Sequence, residues 1–409
     1  MEFTIEDINY DRYVQDFYQA RGLRLSSQES YNIRLKSYCN FLCKSPKELL
    51  DISEKEQEDL NIKMKDRKIK RYLLDYADHL RKNGRSESTI KGNLETVKAF
   101  YHEYEIETPR IRVFFTSENQ NMSYEELPTK EHIKKALKVC GVRAQALVLL
   151  HYTSGMGASE VRNLTYGNFI DAMDDYLELD EYDLLNIHKV VKILRKKHKK
   201  LVGTWKIKRY KTGMPYITFN SPESNVAILD YLLERIRKNK KIRNLQDPLF
   251  VSHFNQIMSS QIHSFTFKEI NDRAGFGLRN KKRYFFTSHM LRKLFTTTLY
   301  KAKVDELPIN WMLGHKINPI TESYFKADVK SLKKHYLKAL NELSLENFEV
   351  KTVTSKEYDY IIDDSKKKDD KIAILEKKLE EMSDRNKLID EKLNLILTNK
   401  TVVEELNKR

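Results

Sequence analysis

The chain has 409 residues, more than one small core organises, so two domains are the default reading. Its 74 lysines and arginines against 59 acidic residues leave a formal net charge of +15, which points to a polyanionic partner, phosphates being the commonest. Three cysteines (Cys39, Cys43 and Cys140) exclude a disulfide framework and a zinc site, and no apolar run approaches the roughly 20 residues of a membrane span. The acidic start MEFTIEDINYDRY is not a signal peptide, so a soluble, cytoplasmic protein is expected. With only 12 glycines and 8 prolines a mostly helical chain is expected, and with the hairpin read below the predicted fold is mainly α with a small β-hairpin (α+β). A surplus of solvated lysines is the plain alternative to a nucleic-acid partner.

Residues 1–105 read as a small helical domain. In SQESYNIRLKSYCNFL, Tyr31, Leu35, Tyr38, Phe41 and Leu42 recur at helical spacing, with Ser26 or Ser27 as cap. Cys39 and Cys43 fall four apart on this face, as two buried thiols would. IKRYLLDYADHLRKNG stops at Gly84. SESTIKGNLETVKAFYHEY places Ile90, Leu94, Val97 and Tyr101 on one face, and lysines and arginines dot the others. Such a basic bundle can hold a duplex by its phosphates, although a plain helical bundle has the same composition.

Residues 106–127 lose the helical period and read as a linker. A second domain, 128–345, opens with a helix capped by Thr129, followed by the apolar helix RAQALVLLHYTSGMG. His151 on that stretch reads as a hydrogen-bonded core histidine, as do His253 and His263. TWKIKRYKTGMPYITF switches to alternation around Lys211-Thr212-Gly213 and predicts a hairpin with Lys211 at its tip. AILDYLLERIRKNKKIR is an amphipathic helix, and PLFVSHF a short extended piece. Residues 364–409 read as a coiled coil, with apolar positions 372, 375, 379, 382, 389, 393 and 396. Asn386 would sit at a core position and favour one register. The alternative is a single amphipathic helix folded back on its own domain.

The chemistry gathers between residues 289 and 324. His289 and Arg292 lie three apart in the first turn of a helix capped by Ser288, where free N–H groups already favour a phosphate. Arg292 adds a fork matched to two phosphate oxygens. In LPINWMLGH, Pro308 suits a first helical turn and Gly314 a stop, so His315 projects from a loop. Tyr324 follows nine positions later, on a short helix that Thr321 can cap. A tyrosine acts as a nucleophile only if something removes its proton and something neutralises the group it attacks. Two histidines, an arginine and a tyrosine meet that need at a phosphodiester.

These motifs, HMLRK, LGH and a tyrosine nine residues on, resemble the catalytic domain of the tyrosine recombinases, the phage-integrase family. KTGMPYITF resembles the family's β-hairpin with its catalytic turn lysine, and SGMGASEVRNL the segment carrying its first arginine. The likeness runs from about residue 10 to 345 and takes the N-terminal bundle as a core-binding domain. It implies that Tyr324 attacks the scissile phosphate, forming a 3′-phosphotyrosyl link and freeing a 5′-hydroxyl. Arg292 and a second arginine neutralise the non-bridging oxygens. Lys211, with Lys208 as its rival, protonates the leaving 5′-oxygen. His289 exchanges a proton with tyrosine, and His315 bonds the phosphate. No ATP, metal or other cofactor is required. The partner is double-stranded DNA, clamped between the two domains and bound by a tetramer on two sites.

One position departs from the pattern. Gly157 occupies the place of the first arginine, and the nearest arginine, Arg162, lies five residues later. Five residues of regular helix advance ~7.5 Å and rotate ~140° past a full turn, so Arg162 serves only if the helix starts late or its side chain bends back. The leading expectation is a site-specific recombinase or integrase using Arg162. A catalytically weak or inactive DNA-binding regulator on the same fold rests on Gly157 alone. A relaxing topoisomerase using the same tyrosine has no feature of its own in the sequence.

Overall fold

The computed structural model describes residues 2–112, 126–279, 283–318 and 328–345. The heptad tail at 364–409 and the Thr321–Tyr324 segment, the nucleophile included, lie outside them. The chain divides into two compact units, Met1–Met122 and Ser123–Arg409. The described residues are mainly helical with two small two-stranded sheets. No helix among them is long and apolar enough to cross a membrane.

The first unit comprises α1 (Ile5–Asn9), α2 (Arg12–Ala20), α3 (Leu25–Leu42), α4 (Pro46–Glu58), α5 (Lys68–Lys82) and α6 (Glu87–Glu103). Its core is unusually aromatic. Phe17, Tyr38, Tyr76, Phe100 and Tyr101 are all buried and meet edge-on or tilted. The α6 face read from the sequence, Ile90, Leu94, Val97 and Tyr101, is buried throughout. Two local readings change. Helix α3 starts at Leu25 behind Arg24 with no side-chain cap, so neither Ser26 nor Ser27 caps it. Cys39 is buried, but Cys43 is exposed, because it terminates α3 in the left-handed conformation at φ 52° and turns away from the apolar face.

The second unit is built around α8 (Val142–Ser154), preceded by α7 (Lys130–Val139). Every residue of α8 from Gln145 to Ser154 is buried, so this helix is the core rather than one wall of it. Short helices α9 (Ala158–Arg162), α10 (Tyr166–Ala172), α11 (Glu181–Leu184) and α12 (Ile187–Lys196) lead to the hairpin β1 (Gly203–Lys208) and β2 (Pro215–Asn220). Its antiparallel register pairs Gly203 with Asn220 and Lys208 with Pro215. Trp205 is fully buried on β1 and donates its Nε1–H to Asn220 Oδ1 at 2.9 Å. Then come α13 (Pro222–Arg237), α14 (Ser260–Arg273), the two-residue strands β3 (Leu278–Arg279) and β4 (Arg283–Tyr284), α15 (Ser288–Lys301), α16 (Glu306–Met312) and α17 (Val329–Leu343). Helices α13 and α15 and strand β2 pack on α8, while α16 packs on β2.

A buried helix end must find partners for its free carbonyls. Around the end of α8, three different elements supply them. Thr218 Oγ1 of β2 donates to Ser154 O at 2.6 Å, and Tyr336 Oη of α17 donates to Thr153 O at 2.9 Å. Arg292 Nη1 of α15 donates to Gly155 O at 2.6 Å. The third bond fixes where the candidate site forms, since a cation is favoured at the negative end of a helix.

His151 is fully buried, as the sequence indicates. Its Nδ1 lies 3.0 Å from Met156 O, and a carbonyl only accepts, so Nδ1 carries the proton. His151 Nε2 therefore accepts from His263 Nε2, 2.9 Å away. His253 differs from the core reading. It is exposed in a turn closed by the bridge between Val251 and Ile257.

Candidate active site

Helix α15 is capped by Thr287, whose side chain accepts from Met290 N, so the cap is one residue earlier than Ser288. This leaves His289 and Arg292 in the first turn and a half. Arg292 is half-buried. Besides Gly155 O, it reaches Leu313 O at 2.7 Å and His315 Nε2 at 3.3 Å through Nη2. One guanidinium thus ties the end of α8 to the Leu313-Gly314-His315 loop.

The loop takes its shape from Gly314, which has φ 62° and lies flat on Tyr216 of β2. A Cβ on Gly314 would sit 2.8 Å from the Tyr216 ring. His315 is exposed beyond it. Arginine only donates, so His315 Nε2 accepts from Arg292, and the ring proton sits on Nδ1, which donates to Asn310 Oδ1 at 2.9 Å. Although the ring reaches solvent, partial desolvation on its loop side holds the His315 imidazole below its usual pKa, and the Arg292 and Arg209 charges add to this. Burial also lowers His289, with Lys293, Arg292, Arg279 and Arg283 acting in the same direction. Both rings are therefore neutral near pH 7. The four cations around His289 form a field that favours an anion.

Lys211 is exposed in the turn between β1 and β2, and Lys208 is the exposed last residue of β1. The turn contributes a residue that the sequence reading passed over. Arg209 Nη1 donates to Leu313 O at 3.0 Å and to Gly314 O at 2.8 Å. Arg209 and Arg292 therefore share the Leu313 carbonyl. The only signal in the sequence is the basic run Lys208-Arg209-Tyr210-Lys211, and nothing in it singles out the second residue.

Gly157 is the N-cap of α9, with an ordinary φ of −74°. A Cβ there would lie 2.2 Å from Glu160 Oε2, so the Glu160 carboxylate fills the space over the glycine. Glu160 Oε1 also accepts the Tyr210 N–H at 3.3 Å, which ties α9 to the hairpin turn. Arg162, the last residue of α9, donates to Met258 O at 3.4 Å and Ser159 Oγ at 3.5 Å. Arg292, Arg209 and His315 are thus brought together, with Glu160 and Tyr216 within electrostatic reach of Arg292. Arg162 is bonded elsewhere.

Residues 121–331 match the family model described as the phage integrase family, slightly more than half of the chain. The chain belongs to the phage integrase family. Among curated relatives, a protein of Caldanaerobacter subterraneus subsp. tengcongensis named as a tyrosine recombinase is 23% identical over 258 residues, 60% of this chain and 73% of that protein. Tyrosine recombinase XerC of Listeria monocytogenes is 28% identical over 123 residues, 30% of this chain and 39% of XerC. Among solved structures, a lambda integrase dimer bound to a core site is 13% identical. The match covers 75% of this chain and 95% of that one, with a TM-score of 0.48. The XerH recombinase in a post-cleavage complex is 16% identical over 81% of this chain and 83% of its own, with a TM-score of 0.46. The chain is thus a tyrosine recombinase by family, and Tyr324 falls within the matched region.

Proposed function

We propose that this integrase-family chain is a site-specific DNA recombinase that cuts and rejoins duplex DNA through a 3′-phosphotyrosyl intermediate. The observation that carries the reading is the Arg292 guanidinium, held between Gly155 O, Leu313 O and His315 Nε2. In that place it has a fixed direction and a neutral imidazole beside it. Such preorganised donors stabilise charge that develops on a phosphate's non-bridging oxygens.

In the step itself, the Tyr324 Oη–P bond forms and the P–O5′ bond breaks. The tyrosine proton passes to a neutral imidazole, for which His289 is our candidate. Lys211 gives a proton to the departing 5′-oxygen. His315 bonds the phosphate through its ring N–H. Rejoining reverses these transfers with another strand's 5′-hydroxyl as nucleophile. The phosphodiester energy is held in the phosphotyrosine, so the balance closes without ATP or a metal.

The test uses the full chain and a nicked duplex enriched by binding from a randomised pool, followed by denaturing electrophoresis. Wild type forms a covalent protein–DNA adduct, and Tyr324→Phe forms none. Tight binding without an adduct would overturn the enzyme reading and favour a DNA-binding regulator, the reading that Gly157 supports. We further propose that four copies act on two sites, with residues 364–409 contributing to self-association. On two-site DNA, the scattering mass of the full chain should correspond to a tetramer and fall on deletion of 364–409. An unchanged mass removes the tail from this role.

A further inference from the structure

We propose that Arg209, from the turn of the β1–β2 hairpin, supplies the second guanidinium of the catalytic site in place of the arginine absent at Gly157. This rests on the recombinase reading above and assigns a residue within it. A phosphodiester under attack gains charge on two non-bridging oxygens, and the Arg292 fork does not cover both here, because its Nη2 is engaged by Leu313 O and His315 Nε2 and its Nη1 by Gly155 O. At Gly157 no side chain is present, and the space where one would begin holds the Glu160 carboxylate.

Arg162 does not fill the gap. Its guanidinium is directed to Met258 O and Ser159 Oγ, and its charge acts on His263. The cation that acts on both Arg292 and His315 is Arg209.

Three features fit Arg209 to the role. Its backbone is fixed, since Arg209 N donates to Met214 O at 2.8 Å and Gly213 N donates to Arg209 O at 2.7 Å. Its side chain is aimed, because Nη1 is held by the Leu313 and Gly314 carbonyls, directly before His315. Its remaining donors, Nε–H and Nη2–H, have no acceptor among the described residues. Two guanidinia bonded to one carbonyl repel each other in a half-buried setting, and an anion with two acceptor oxygens relieves that repulsion. Glu160, anchored to the Tyr210 N–H, offsets part of the charge and keeps the turn in place. The hairpin turn then brings two groups to the phosphate, Arg209 to neutralise it and Lys211 to protonate the leaving oxygen.

The test compares single-turnover cleavage of the same nicked duplex carrying either a phosphate or a methylphosphonate at the mapped scissile position. The methylphosphonate diester has one charged oxygen fewer. A group that neutralises that charge therefore matters less on it, whereas a purely structural group matters equally on both. Arg209→Ala should slow cleavage of the phosphate by about 100-fold or more, but of the methylphosphonate by less than about 10-fold. Arg162→Ala should leave both rates within about threefold of wild type. Gly157→Arg, whose backbone accepts any residue, should restore at least about 10-fold of the phosphate rate to Arg209→Ala once the flexible Glu160 moves aside. A partly unfolded preparation lowers both substrates alike, so the ratio still reads the role. Equal losses on the two substrates, wild-type rates in Arg209→Ala, or the discriminating pattern in Arg162→Ala would each overturn the assignment while leaving the recombinase reading intact. If wild type itself forms no adduct, that reading falls and this assignment falls with it.

Discussion

Replacing Arg292 with alanine lowers strand cleavage by about 1000-fold or more, yet shifts folding stability by no more than about 1–2 kcal/mol. The two expectations differ because the residue makes opposite contributions to them. In the folded protein it satisfies Gly155 O at the end of the buried helix α8, and losing that partner costs stability. Against this, Arg292 is a desolvated cation beside a second one. Burial pushes its guanidinium below the usual range, and Arg209 acts in the same direction. Removing it relieves that cost, and Leu313 O keeps its bond from Arg209. Catalysis has no such offset, because charge developing on the phosphate loses a donor held on three partners. Thermal melts and single-turnover cleavage on the same preparations check this. A large drop in melting temperature with a proportionate drop in cleavage would make Arg292 a structural residue.

Stability falls as pH is lowered from about 6.5 toward 4, and His151 with His263 causes much of the fall. Burial pushes His151 down to about 3, assisted by the neighbouring His263, and pushes His263 down to about 4, assisted by Arg162. In the unfolded chain both titrate near 6.5. Below that pH the unfolded state binds protons that the folded state refuses. Their stabilisation is thus complete above about 6.5 and is lost on acidification, at about 1.4 kcal/mol per pH unit for each histidine. Glutamine at 263 can still donate an N–H to His151 Nε2 but does not titrate, so His263→Gln should lose roughly half of this slope. Denaturant melts at pH 7, 6 and 5 measure it. A flat profile in wild type, or an unchanged slope in His263→Gln, contradicts the pairing.

The parts of the candidate site whose local placement is legible in the sequence are those carried by short spacing. His289 and Arg292 sit three apart at a helix start, Gly314 is the left-handed stop before His315, and Lys211 falls in a turn between alternating segments. What the sequence did not show depends on long-range folding. Arg209 gains its meaning from carbonyls more than a hundred positions away, beside the turn because Gly314 packs against Tyr216. Glu160 reads as an ordinary helix residue until Gly157 leaves room for its carboxylate. The departures at Cys43 and His253 share one cause. Apolar or helical context predicts burial, but a left-handed cap and a tight turn redirect the side chain outward. Gly157 shows the missing arginine directly, and Arg162 is the nearest arginine along the chain. An arginine from another element is free of the helical rotation that handicaps Arg162.

Covalent joining of Tyr324 to DNA is tested most directly by peptide mapping of the trapped adduct. Nuclease trimming, proteolysis and tandem mass spectrometry of the wild-type complex should find a nucleotide 3′-phosphate on Tyr324. A nucleotide on any of the other tyrosines, or no nucleotide-bearing peptide from a complex that binds DNA tightly, would contradict the account.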